Sequence, residues 1–119
     1  MRSNFKREIL YYENYYEDFF SGLPPKTQLK FMWTLGIIST LEWVPEKYLR
    51  SIQGSQGLFE IRVEESSNIY RVFCFFDEGD LVILINGFQK KTDKTPRREI
   101  LRAQRLQKKY YHEKEETRT

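Results

Sequence analysis

Residues 58–88, LFEIRVEESSNIYRVFCFFDEGDLVILINGF, hold three strand-like runs separated by two turn signals. Phe59, Ile61 and Val63 alternate with Glu60, Arg62 and Glu64, the period of a strand with one apolar face. Tyr70 to Phe76 and Leu81 to Ile85 are nearly continuous apolar runs, which suits strands covered on both faces. Asn68 marks a turn before the second run and Asp77-Glu78-Gly79-Asp80 another before the third, so the stretch predicts a three-stranded antiparallel meander.

Upstream, Lys6 to Tyr12 predicts a first strand, and Asn14 can cap a helix carrying Tyr15, Tyr16, Phe19, Phe20 and Leu23. Gly22-Leu23-Pro24-Pro25 breaks that helix, and Pro25 opens a second whose apolar stripe is Leu29, Met32, Trp33, Gly36, Ile37 and Leu41. Both stripes are expected to be core. Glu42 to Gly57 shows no period and predicts a connecting loop with one short turn around Glu46 to Leu49. Downstream, Thr95 and Pro96 suit the cap and first turn of a last helix, with Ile100, Ala103, Leu106 and Tyr110 on its apolar side. The expected order is β-α-α-β-β-β-α, an α+β fold with a mostly antiparallel sheet packed against helices. Residues 1–112 form a single domain in this reading, and residues 113–119 a polar, frayed tail.

The chain has 119 residues, enough for one core, and its 16% aromatic content means that Phe, Tyr and Trp fill much of it. The one cysteine, Cys74, lies in a strand-like run and excludes an internal disulfide. No apolar run approaches the roughly 18 residues of a membrane span, and the charged start (Arg2, Lys6, Arg7, Glu8) does not read as a signal peptide. A cytoplasmic location is the expectation. The net charge of +3 conceals segregation: residues 86–119 hold eleven Lys/Arg against five Asp/Glu, so the last quarter of the chain is basic and the rest mildly acidic. Such a distribution suggests an anionic partner, nucleic acid above all, although a solvated basic helix gives the same composition.

Chemistry concentrates where the third apolar run ends, in Asn86-Gly87-Phe88-Gln89-Lys90-Lys91-Thr92-Asp93-Lys94-Thr95-Pro96. Lys90, Lys91 and Lys94 put three ammonium groups on a short connection, a site able to hold phosphate. Arg71 stands inside an apolar strand, where a charge must be paired or face a groove. It either pairs with Glu60 or Glu64 across the strands or points into a polar site beside Arg62. His112, the sole histidine, reads as a surface residue near the C-terminus. No metal-ligand spacing occurs, and Asp77, Glu78 and Asp80 are accounted for by a turn.

Taken together, Leu58-Phe59-Glu60-Ile61-Arg62, Tyr70-Arg71-Val72-Phe73, Ile85-Asn86-Gly87-Phe88-Gln89-Lys90-Lys91-Thr92 and Thr95-Pro96 with Glu99-Ile100 and Ala103 resemble the RelE/HigB superfamily of toxin–antitoxin toxins, in particular its phage-derived Gp49-like branch. The resemblance runs through roughly residues 57–111. It implies a RelE-like microbial RNase-type fold and a ribosome-dependent endoribonuclease, an mRNA interferase restrained by a cognate antitoxin, expected to be a helix-turn-helix protein. It assigns Arg71 to the scissile phosphate and Lys90 and Lys91 to the same charge, with Arg62, the arginine of the Glu-x-Arg strand, as the next catalytic candidate. Lys94, Tyr110 and Tyr111 are RNA-binding candidates, together with Arg97 and Arg98 on the basic helix. Cleavage would proceed by 2′-hydroxyl attack on the phosphate, with no metal, cofactor or small-molecule ligand. Two further readings use the same fold: a non-catalytic ParE-like toxin directed at gyrase, and an RNA- or protein-binding module.

Overall fold

The computed structural model describes residues 5–118; residues 1–4, with Arg2, and Thr119 at the end of the expected tail lie outside the described residues. The elements run β1 (Glu8–Tyr11), α1 (Tyr15–Ser21), α2 (Pro25–Thr40), β2 (Leu49–Ser51), β3 (Leu58–Glu65), β4 (Asn68–Asp77), β5 (Leu81–Lys90) and α3 (Arg97–Arg118). They form the expected α+β fold around one five-stranded mixed sheet in the order β1-β5-β4-β3-β2. The meander β3-β4-β5 is antiparallel, and its β3–β4 turn places Ser66 and Ser67 at positive φ, as the right-handed strand twist favours in a tight hairpin. β1 adds to the edge of β5 in parallel, which a short N-terminal segment manages only because α1 and α2 carry the chain across the sheet.

Each sheet face buries its own core. On one, Tyr16 of α1 and Phe31, Leu35 and Ile38 of α2 meet Ile61, Val63, Tyr70, Val72, Cys74, Val82 and Leu84. On the other, Ala103 and Leu106 of α3 meet Leu58, Phe73, Phe75, Ile83 and Ile85. Gly87 is required by the first layer, because a Cβ there would stand 2.6 Å from the Phe19 ring of α1. Arg7 caps the end of α2, donating to the open carbonyl of Ile38 in its last turn and to those of Leu41 and Glu42 just beyond it. No helix among the described residues is long and apolar enough to cross a membrane.

Four expectations need correction. The face of α2 that enters the core is Thr27, Phe31, Thr34, Leu35 and Ile38, while the expected stripe of Leu29, Met32, Trp33, Gly36 and Leu41 is exposed and Ile37 only partly covered. Thr34 tolerates burial because its hydroxyl donates to Lys30 O, 2.7 Å away in its own helix. Within the expected loop 42–57, Leu49–Ser51 is a strand paired with β3. Asn14 caps α1 by its carbonyl, which accepts the Asp18 N–H, and not by its side chain. The segment from Glu113 is helical to Arg118 rather than frayed, because Glu113, Lys114 and Arg118 each find partners elsewhere: Tyr12, Asp77 and Glu78.

Candidate functional site

α3 covers only part of its sheet face, and beside it the register of the strands assembles a polar corner. Directly opposed residues in a sheet share a face. Arg50 of β2 opposes Glu60 of β3, Arg62 of β3 opposes Arg71 of β4, and Arg71 opposes Phe88 of β5. One step further, Ile69 opposes Lys90, so Lys90 joins the same face. A bulge in β5 makes this possible. Between the pairs Cys74↔Leu84 and Val72↔Gly87, β4 spends one residue, Phe73, and β5 two, Ile85 and Asn86. The extra residue shifts the alternation, turning Phe88 and Lys90 toward Arg71 and Gly87 toward α1. Asn86 is buried in the bulge, and neither of its amide atoms has a hydrogen-bond partner among the described residues.

The hub of the corner is Glu60. Its Oε2 lies 2.8 Å from Arg71 Nε and 3.7 Å from Arg62 Nε, so one carboxylate serves two guanidinium groups. Arg71 is 2% exposed and also donates from Nη1 to its neighbour Tyr70 O at 3.0 Å. The Glu60 carboxylate is the one counter-charge the two arginines share. Burial pushes the Arg71 guanidinium below its ordinary value, the Arg62 charge adds to this, and Glu60 opposes both. Two like charges directly opposite each other on neighbouring strands destabilise a sheet unless something else uses them. Stacked Phe73 and Phe88 rings, centroids 5.6 Å apart, form the floor of the corner. From Glu60 the surface opens into a groove of about 470 Å³ lined by Glu46, Arg50, Ser51 and Gln53.

The structure therefore brings together Arg62, Arg71 and Lys90 among the sequence-predicted residues, and adds Glu60 and Arg50. Arg71 pairs with Glu60, one of the two carboxylates foreseen for it, and it is Arg62 and Lys90 that remain partly exposed. Lys91 and Lys94 lie exposed in the 91–96 connection, where Thr92 Oγ1 donates to Lys94 O, and Arg97 and Arg98 are exposed at the start of α3. Tyr110 and Tyr111 are elsewhere. Tyr110 donates to Asp77 at 2.6 Å and Tyr111 to Phe76 O at 3.3 Å, at the far end of β4, about 20 Å along the strand from Arg71. Burial and the bond to Asp77 push the Tyr110 phenol up to about 12. His112 is exposed and faces Glu116 at 3.2 Å.

Glu60 was visible in the sequence only as a partner for Arg71; the Glu-x-Arg spacing that sets both side chains on one face was its signal. Arg50 had none, since its strand is three residues long. Among the described residues no group of three or more His, Cys, Asp or Glu side chains is placed to hold a metal ion. Chemically, the corner offers permanent cations for an anion and one carboxylate for a proton.

A model of the family described as Phage derived protein Gp49-like (DUF891) matches residues 18–108, a span that includes all of α2, β2, β3, β4 and β5 and the first half of α3. No curated protein matches the chain to a significant degree.

Proposed function

The chain belongs to the phage-derived Gp49-like family, which lies within the RelE/HigB-like toxins, and from that premise we propose that it is the toxin of a type II toxin–antitoxin pair, cleaving messenger RNA on the translating ribosome. The observation that carries this reading is the pair Arg62–Arg71 held by a single carboxylate on an open sheet face. In the reaction the 2′-hydroxyl oxygen attacks phosphorus, the bond to the 5′-oxygen breaks, and the products are a 2′,3′-cyclic phosphate and a free 5′-hydroxyl. Arg62 and Lys90 meet the phosphoryl oxygens first, being the exposed cations of the corner. Arg71 adds its charge as the phosphate takes over the place of Glu60 between the two guanidinium groups. Glu60, so released, accepts the 2′-hydroxyl proton, and Lys90 is the proton source for the leaving 5′-oxygen. Lys91, Lys94, Arg97 and Arg98 track the flanking backbone, and Phe88 gives a base a ring to stack on. A cognate antitoxin restrains the activity.

The test is induction of the wild type and of Arg62→Ala/Lys90→Ala in bacteria, with mapping of messenger 5′ ends and circular dichroism of both purified proteins. New 5′-hydroxyl ends inside translated codons with growth arrest are expected for the wild type. Loss of about 10²- to 10³-fold per cation is expected for the folded variant. Arrest with messages intact would replace cleavage by the gyrase-directed reading, and neither effect would reduce the protein to a binding module.

A further inference from the structure

Among the described residues, none covers the second apolar face of α2. Leu29, Met32 and Trp33 are 64%, 59% and 52% exposed, and with Gly36 they follow the i, i+3, i+4, i+7 spacing of a helix-packing stripe. Gly36 has no neighbour within 4 Å of the position a Cβ would take. Glycine is the poorest helix former after proline, yet here it sits in mid-helix and opens the stripe to close backbone approach. The charges on α2 itself are of one sign. Lys26 and Lys30 are the only charged residues of α2, and neither has an ion-pair partner among the described residues. Both stand in the first half of the helix, where the backbone dipole disfavours cations, and no acidic residue offsets them in the first turn. Lys47, over the Tyr48 ring at 5.0 Å, adds a third cation where Tyr48 meets Trp33 edge-on.

We propose that this face of α2 docks an acidic amphipathic helix of a partner protein, its apolar side on Leu29, Met32, Trp33 and Gly36 and its carboxylates on Lys26, Lys30 and Lys47. An RNA strand would leave Leu29 and Met32 without use, whereas a helix matches both the spacing and the charge. A groove of about 280 Å³ lined by Lys30, Trp33, Lys47 and Arg62, with the single carboxylate of Glu64, continues from the stripe to the edge of β3. An occupant of α2 thus reaches the rim of the cationic corner although it sits on the opposite layer of the sheet. The proposal does not depend on the nuclease reading, since it concerns a different surface and is measured by binding.

Two synthetic helices of about 18 residues, long enough to hold their structure, supply the probe. They share a Leu/Ile stripe and differ only in Glu or Lys along its flanks. Trp33 emission reports binding in a Trp43→Phe background, a substitution at an exposed ring. The acidic helix is expected to shift Trp33 to the blue, saturably and at least about tenfold more tightly than its lysine twin. Lys26→Glu/Lys30→Glu should invert that preference, and Leu29→Ser/Met32→Ser should abolish binding of both while leaving the circular dichroism unchanged. Equal binding of the two peptides, or none, would overturn the proposal. So would sedimentation as a dimer that Met32→Glu dissociates, which would assign the face to a second copy. A Trp33 shift given by a single-stranded oligoribonucleotide and not by the acidic helix would assign it to RNA.

Discussion

The two ends of β4 each bury a charged side chain, and they handle it in opposite ways. At the Asp77 end, the carboxylate is enclosed by donors: Tyr110 Oη at 2.6 Å and Lys114 Nζ at 2.8 Å, with Glu78 beside it taking Lys114 and Arg118. Burial alone would push Asp77 up, but the bonds from Lys114 and Tyr110 outweigh it and hold the carboxyl below its usual range. At the Arg71 end, two arginines face each other and share the one carboxylate of Glu60. The first end is saturated and has nothing left to offer a ligand. The second is held short of satisfaction, with positive charge to spare beside an open groove, and such residual conflict within a fold is where function is expected.

Substitutions can break or sharpen this contrast. The largest effect should come from Glu60→Ala, which leaves Arg71 buried with no counter-charge; a loss of about 3–5 kcal/mol is expected in urea or thermal unfolding. Asp77→Asn should lose about 1–3 kcal/mol and leave the proposed RNA cleavage unchanged, since the proposed site is at the other end of the strand. The same variant carries a pH signature. Because the folded Asp77 is depressed, its stabilisation is fully present above the unfolded value, about 4, and is lost as pH falls through the folded one. Unfolding midpoints of the wild type should therefore fall more steeply below about pH 4 than those of Asp77→Asn. The smallest stability effect is expected of Arg62→Met, within about 1 kcal/mol of the wild type and in the stabilising direction, because it removes a like charge opposite Arg71. A clear destabilisation by Arg62→Met would make the corner a structural ion-pair network like its counterpart. Lys90→Ala and Gln89→Ala compare the two outcomes of the bulge: only the first should lower activity if β5 turns Lys90 to the site.

The meander and the polar corner were legible because strand alternation is a local signal, and Glu60-Ile61-Arg62 set two ionisable side chains on one face by spacing alone. The α2 face was misread for a physical reason. Its exposed stripe is the more continuous of the two in hydrophobicity, whereas its buried one is interrupted by Thr27 and Thr34, whose polarity says nothing of the Thr34 bond to Lys30 O. β2 has three residues, too few to show a period, and its partner β3 supplies the reason it exists. The last turns of α3 have no apolar face of their own and are held by Tyr12, Asp77 and Glu78, groups distant in sequence. Neither the bulge at Ile85–Asn86 nor the opposition of Arg62 to Arg71 can be read from one strand, since both are properties of pairing.

The hydrogen bond from Tyr12 to Glu113 joins residues 101 apart, and β1 pairs with β5 only after every intervening element has been made. Contacts of such long range form late and slowly. A nascent chain emerging from a ribosome therefore carries its hairpins, and with them the opposed Arg62 and Arg71, before it carries β1 and α3 in place. The apolar layer of Leu58, Phe73 and Phe75 is thereby the last to be closed, once residues 97–118 have cleared the exit tunnel.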